Sequence, residues 1–282
     1  MKAKKRIAVF VAALALASVV AVSSVAFTGC GADVTLTGST SVQPLMEKLA
    51  EAFEEKTGIV VSVGGGGSSV GVSDAQAGTV DFGMASRDLK DSETGVTATR
   101  IAIDGVAIVV KKGVELASVT SEQLYNLFVN GTAIGSITKG AGREAGSGTR
   151  DAFDTIITDA SGNSIDKNEA TYDDVVSENN STGAVITAVE KDSATIGYIS
   201  YGSLDEEKLT AVPYQAVGDE SAVAININTI KDGSYKLQRN FNLILPEGGE
   251  DALSEDAKAF YDYILSAEGQ KIVSDEGYVS IA

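Results

Sequence analysis

The chain of 282 residues contains no histidine and no tryptophan, and only one cysteine and three prolines. Without histidine, no Ser-His-Asp triad, Cys-His pair or histidine-based metal site can be assembled. Hydrolase chemistry thereby loses its commonest general base, and no enzyme activity, cofactor or metal is expected. A lone cysteine cannot close an internal disulfide, so Cys30 needs another role. Positive charge is scarce as well, with 22 Lys and Arg against 39 Asp and Glu. That imbalance argues against nucleic acid and anionic lipid as partners. It leaves a small anion open, because net charge is screened within ~10 Å of salt solution while a donor-lined site acts at contact.

The amino end reads as a secretory signal over residues 1–29. Lys2, Lys4, Lys5 and Arg6 form a basic zone, Ile7 to Ala17 an apolar one, and small residues precede Cys30. Ile7 to Phe27 is also about long enough to span a bilayer, so length alone does not separate a signal from an anchor. Thr28-Gly29-Cys30 resembles a bacterial lipobox, in which cleavage before Cys30 leaves that residue as the lipidated terminus. A chain so modified is tethered to the outer face of the cell membrane. The expected mature part carries all 39 acids and 18 of the 22 basic residues, a net charge near −21.

From Asp33 onward short apolar runs alternate with helix-like stretches, which predicts an α/β protein. Val34 to Thr37, Ile59 to Val63, Val80 to Met84, Ile101 to Val110 and Ala194 to Ser200 read as strands. Leu45, Leu49, Ala52 and Phe53 recur at helical spacing, and helices are expected at 70–77, 121–129, 149–158, 183–191 and 254–265. Gly140 to Gly148 reads as a glycine-rich loop, and Ala222 to Ile227 as a further apolar run. The pattern predicts two lobes, 33–110 with 222–282 and 111–221, the chain passing between them twice. A ligand is expected in the cleft between them.

Three loops share one design: each follows a strand, offers hydroxyls and glycines, and opens a helix. They are Gly38 to Pro44, Gly64 to Ser69, and Arg143 to Thr149. A helix start presents unpaired N–H groups and a partial positive charge, and glycine permits close backbone approach. Arg143 adds a fixed cation with a fork of donors. Any one loop alone reads more readily as a capped helix start, and the four glycines also fit a connector. Together they suit a tetrahedral oxyanion. No Gly-Lys pair follows at Walker spacing, which excludes an NTPase loop.

At these loops the sequence resembles the phosphate-binding (PstS-like) proteins of the bacterial ABC-type phosphate importer, in their short lipoprotein form. The likeness covers nearly all of residues 33–282. It is carried by LTGSTSVQPLMEKLAEAFEEKTG, GGGSSVGVSDAQAGTVDFGMASRDL, REAGSGTRDAF, ATIGYISYGSL and LSAEGQKIVSDEGYVSIA. The resemblance implies a two-lobed periplasmic-binding-protein-like fold of type II, a hinged Venus flytrap with two crossovers. It implies inorganic phosphate as ligand, the importer's membrane permease subunits as partners, and a monomer. It places Thr40, Ser41, Ser68, Arg143, Ser147, Gly148 and Thr149 at the phosphate. Where longer members carry an aspartate that accepts the phosphate proton, this chain has Ser86. Asp104, a charge inside an apolar strand, is the candidate replacement acceptor, with Arg87 as its partner or as a second cation. A receptor for sulfate or molybdate, and a phosphate sensor or adhesin without transport, are the alternatives. An esterase using Ser147 would lack histidine, and its loop spacing is not G-x-S-x-G.

Overall fold

The computed structural model describes residues 31–282; the expected signal segment and Cys30 lie outside the described residues. The chain opens with β1 (Val34–Gly38), α1 (Gln43–Thr57), β2 (Val61–Gly65), α2 (Ser68–Ala77) and β3 (Phe82–Ala85). In β1 the apolar side chains alternate inward, and in α1 Leu45, Met46, Leu49, Ala50 and Phe53 form one buried stripe. Pro44 sits in the first turn of α1, where its missing N–H costs no bond, and Gly58 ends the helix in the left-handed region.

β4 (Val96–Lys111) is a sixteen-residue strand whose first half is partly exposed and whose Val106–Val110 stretch is fully buried. After it come β5 (Val119–Thr120), α3 (Ser121–Asn130), β6 (Lys139–Arg143), α4 (Gly148–Ile156), β7 (Val176–Asn179) and α5 (Thr182–Lys191). β8 (Thr195–Ser200), β9 (Leu209–Ala211), β10 (Tyr214–Gln215), α6 (Ile227–Lys231), β11 (Gln238–Pro246), α7 (Glu255–Leu265) and α8 (Ala267–Asp275) complete the order.

The main sheet runs β2-β1-β3-β11-β4-β8-β6-β7, with β9 also paired to β4. β1, β2 and β3 are parallel, as are β6, β7 and β8. The central pairings of β11 with β3 and β4, and of β4 with β8, are antiparallel. Two large apolar clusters flank this sheet. One gathers Leu36, Leu49, Phe53, Phe82, Phe241 and Phe260; the other gathers Val106 to Val110, Phe128, Phe153, Val185 and Tyr198. Ile225, Ile230, Tyr235 and Leu237 pack with the second cluster.

Sequence reading and structure differ at several places. Gly140 to Arg143, expected as loop, is strand β6. Its glycines make room for rings and branches: a Cβ on Gly142 would lie 2.6 Å from the Tyr172 ring, and one on Gly140 2.9 Å from Val176. The short elements β5, β9, β10 and α6, and the longer β7, β11 and α8, are not predicted by the sequence pattern. β11 hides because Gln238, Arg239, Asn240 and Asn242 interrupt its apolar run, although Arg239 and Asn242 are buried. Among the described residues no helix is long and apolar enough to cross a membrane.

Candidate functional site

The three loops singled out above do lead from a strand into a helix: β1 into α1, β2 into α2, β6 into α4. Neither α1 nor α2 has a side-chain cap, whereas Ser147 caps α4 by accepting from the Thr149 and Arg150 amides at 3.3 and 3.4 Å. A fourth helix start of the same kind, Ser181-Thr182-Gly183 opening α5, joins them.

Their hydroxyls meet in one buried cluster. Ser41 Oγ lies 3.0 Å from Thr149 Oγ1 and 3.1 Å from Thr182 Oγ1. Ser68 Oγ accepts from the Ser86 amide at 3.1 Å and the Gly148 amide at 3.2 Å, and lies 3.3 Å from Ser86 Oγ. Ser39 Oγ donates to Ser86 Oγ at 2.9 Å. Thr40 Oγ1 accepts from Arg143 Nη2 at 3.1 Å and from the Thr182 amide at 3.3 Å. Ser41, Ser68 and Ser86 have no exposed surface at all. Gly148 is required by crowding, since a Cβ there would fall 2.5 Å from Ser68 Oγ.

Arg143 is buried beside the cluster. Glu144 grips its Nε and Nη2, each at 2.8 Å, while Nη1 reaches Thr182 at 3.3 Å. Its backbone amide donates to Tyr198 OH, which lies 2.9 Å from Tyr172 OH; Tyr172 in turn donates to Asp154 at 2.7 Å. Burial pushes the Asp154 carboxyl up to about 6, with Tyr172 and Arg150 offsetting part of the rise. Burial likewise raises both tyrosine hydroxyls.

The structure brings Thr40, Ser41, Ser68, Ser86, Arg143, Gly148 and Thr149 together, and places Ser147 at the α4 cap next to them. Asp104 and Arg87 have other attachments. Arg87 is not the partner of Asp104: it forms a two-pronged bond to Glu93 at 2.7 Å, sits 2.7 Å from Asp151, and donates to Ser69. The partner of Asp104 is Arg239, its cross-strand neighbour in the β4–β11 pairing. Asp104 Oδ2 accepts from Arg239 Nε and Nη2 at 3.1 and 3.0 Å, and Oδ1 accepts from Ser200 at 2.9 Å. Burial pushes the Asp104 carboxyl up and the Arg239 guanidinium down, and each charge offsets part of the other's penalty. Arg239 Nη1 is aimed at Ser86 Oγ, 3.2 Å away.

Arg239, Thr182 and Ser39 are the site residues that sequence reasoning missed. Thr182 was legible, since Ser-Thr-Gly before a helix repeats the design of the other loops. Arg239 was hidden in the unread strand. A groove of about 750 Å³ runs alongside, lined by Asp88, Asp151, Asp154 and Asp166 as well as Arg87, Lys90 and Arg239. With acids outnumbering bases it offers an anion little, and none of the clustered hydroxyls lines it.

A profile for the PBP superfamily domain matches residues 24–268. The phosphate-binding protein PstS 2 of Streptococcus agalactiae is 38% identical over 139 residues, 49% of this chain and 44% of that protein. The match thus spans under half the length of the streptococcal relative. PstS of Staphylococcus haemolyticus is 27% identical over 267 residues, 86% of this chain and 79% of its own. A crystal structure from Clostridium perfringens, described as a phosphate ABC transporter substrate-binding protein with bound phosphate, superposes with a TM-score of 0.76. It is 32% identical and covers 88% of this chain and 99% of that one. An ABC-type phosphate transport receptor from Vibrio cholerae is 29% identical with a TM-score of 0.65, over 88% of this chain and 99% of that one. By sequence and by fold, this chain belongs to the PBP superfamily, where its relatives are phosphate-binding PstS proteins and substrate-binding proteins of phosphate ABC transporters.

Proposed function

We propose that this chain is an extracytoplasmic receptor that captures inorganic phosphate and delivers it to the membrane subunits of an ABC importer, with no catalytic step. The observation that carries this reading is the convergence of buried hydroxyls from four helix starts on one spot beside Arg143. Helix starts, hydroxyls and a guanidinium are all donors, the chemistry a dehydrated oxyanion needs. Thr40, Ser41, Ser68, Ser86, Ser147, Gly148 and Thr149 contribute donors, and Arg143 the countercharge. The relative with bound phosphate supports the choice of ligand.

In this reading the two apolar clusters are two lobes hinged on β4 and β11, with residues 222–237 moving with the second. Closing brings Ser68 and Ser86 against Gly148. The chain acts as a monomer, held to the membrane by lipid on Cys30. Ser147 is poorly placed for nucleophilic work, because its oxygen caps α4 and its bonded neighbours are two amides. A second reading, a receptor for another tetrahedral oxyanion, draws support from Asp104. Its carboxylate is turned to Arg239 and Ser200, and none of the clustered hydroxyls donates to it.

Calorimetric titration of ligand-stripped residues 31–282 with phosphate tests the receptor reading. One-to-one binding is expected, and absence of phosphate binding refutes it. Sulfate or molybdate binding in place of phosphate favours the second reading.

A further inference from the structure

A hydroxyl has one proton to give and two lone pairs to fill, so the bonds already made around it determine what it has left for a ligand. Ser68 Oγ has both lone pairs filled, by the amides of Ser86 and Gly148. Thr40 Oγ1 is filled by Arg143 and the Thr182 amide, and Ser147 Oγ by two amides of its own helix. These three can only donate.

Ser86 would be adaptable but for one residue. Its oxygen accepts from Ser39 at 2.9 Å, and Arg239 Nη1 at 3.2 Å and the Ser68 hydroxyl at 3.3 Å compete for its second lone pair; the Ser68 proton can rotate to another acceptor. Arg239 cannot turn away, because its other two nitrogens are held by Asp104, itself anchored by Ser200. The Arg239 and Asp104 side chains are 3% and 0% exposed, so water does not substitute for either. Ser41, Thr149 and Thr182 differ: they touch through hydroxyl pairs in which either oxygen can donate.

We propose that Arg239, clamped by Asp104, is a positioning residue that holds Ser86 as a proton donor, so that this wall of the site takes only unprotonated oxygens of a tetrahedral oxyanion. The inference rests on the anion-site reading above. A P–OH group turns to the Ser41, Thr149 and Thr182 side, where hydroxyls can still accept. Removing Arg239 leaves only the rotatable Ser68 hydroxyl facing that lone pair, so Ser86 can accept a ligand proton once Ser68 donates to another ligand oxygen.

The experiment pairs Asp104→Asn with Arg239→Met, which removes one charge of each sign and strands neither partner. Phosphate and sulfate are titrated into both proteins at about pH 5.5 and about pH 8.5, on either side of the second phosphate ionisation. The paired variant is expected to lower the sulfate-to-phosphate affinity ratio about fivefold at the lower pH, and less at the higher, a shift of the size of one hydrogen bond. A purely structural role would weaken both anions alike at both pH values. In a Ser86→Ala background the same pair of substitutions is expected to leave the ratio unmoved, because Arg239 acts through Ser86. If the pair fails to fold, Arg239→Lys serves: its single ammonium holds Asp104 but releases Ser86, and the ratio shifts in the same direction. Equal losses for both anions, or a ratio shift that persists without Ser86, would overturn the inference while leaving the receptor reading standing. Absence of phosphate binding by the unaltered protein overturns both.

Discussion

Replacing Gly148 by alanine adds one carbon where two parts of the chain touch. The new Cβ would lie 2.5 Å from Ser68 Oγ, 2.6 Å from Ser86 Oγ and 2.9 Å from the Ser86 carbonyl carbon. The last of these is backbone, so a rotamer change cannot relieve all three contacts. Overpacking of this kind costs about 1–3 kcal/mol. Separating the loops also lengthens the Gly148 amide bond to Ser68, worth about 0.5–1.5 kcal/mol. Alanine's better helix propensity returns a fraction of about 1 kcal/mol. The balance, about 2–3 kcal/mol, falls on the closed arrangement, and it corresponds to a phosphate affinity roughly 30- to 150-fold weaker. Calorimetry reads the affinity, and thermal unfolding without ligand is expected to change little. Gly183→Ala is the control, since its Cβ would meet nothing within 4 Å. Affinity of the Gly148 variant within threefold of the parent, or an equal loss in the control, would refute the reasoning.

Arg143→Lys is expected to weaken phosphate binding about 10- to 100-fold in the same titration, because an ammonium cannot hold Glu144, Thr182 and Thr40 together. Asp154 predicts a pH effect on stability. Its folded value near 6 exceeds the ordinary 3.8, so between those values the native state binds more protons than the unfolded one. Stability therefore falls as pH rises from about 4 to about 6 and levels off above, by roughly 3 kcal/mol at most. Because carboxylates such as Glu93 are shifted the other way, urea unfolding at both ends of that window is read as a difference: the parent should lose stability relative to Asp154→Asn as pH rises. Cys30→Ser in the full chain is expected to release the protein from membranes into the soluble fraction, and continued retention would count against the lipid anchor.

Much of this organisation was legible because local physics and tertiary structure agree. The apolar stripe of α1 and the buried run of β4 announce themselves through periodicity, and the loops before α1, α2 and α4 through hydroxyls and glycines. Where the sequence misled, a second demand overrode the first. Gly140 and Gly142 look like turn residues, but they sit in a strand because Val176 and the Tyr172 ring need the space. Asp104 was legible as an anomaly, because a charge inside an apolar run must be compensated. Its partner was not, because Arg239 lies 135 positions later in a strand whose polar residues mask its alternation. Arg87 was the nearer arginine, but Glu93 and Asp151 had already claimed it.

The placement of β11 between β3 and β4 sets an order of events during folding. The second cluster draws nearly all its members from residues 106–237, a continuous stretch that can close on itself once those residues are available. The first cluster cannot, for it lacks its central strand and the residues of α7 until the chain has passed position 264. Until β11 is in place β3 and β4 each expose a bare edge, and Asp104 has no countercharge. The amino-terminal third is thus made first and finished last. Substitutions in β11 should slow refolding of the first cluster while the second forms at its usual rate, and the hydroxyl cluster, which draws on the helix starts of both halves, should assemble only at the final step.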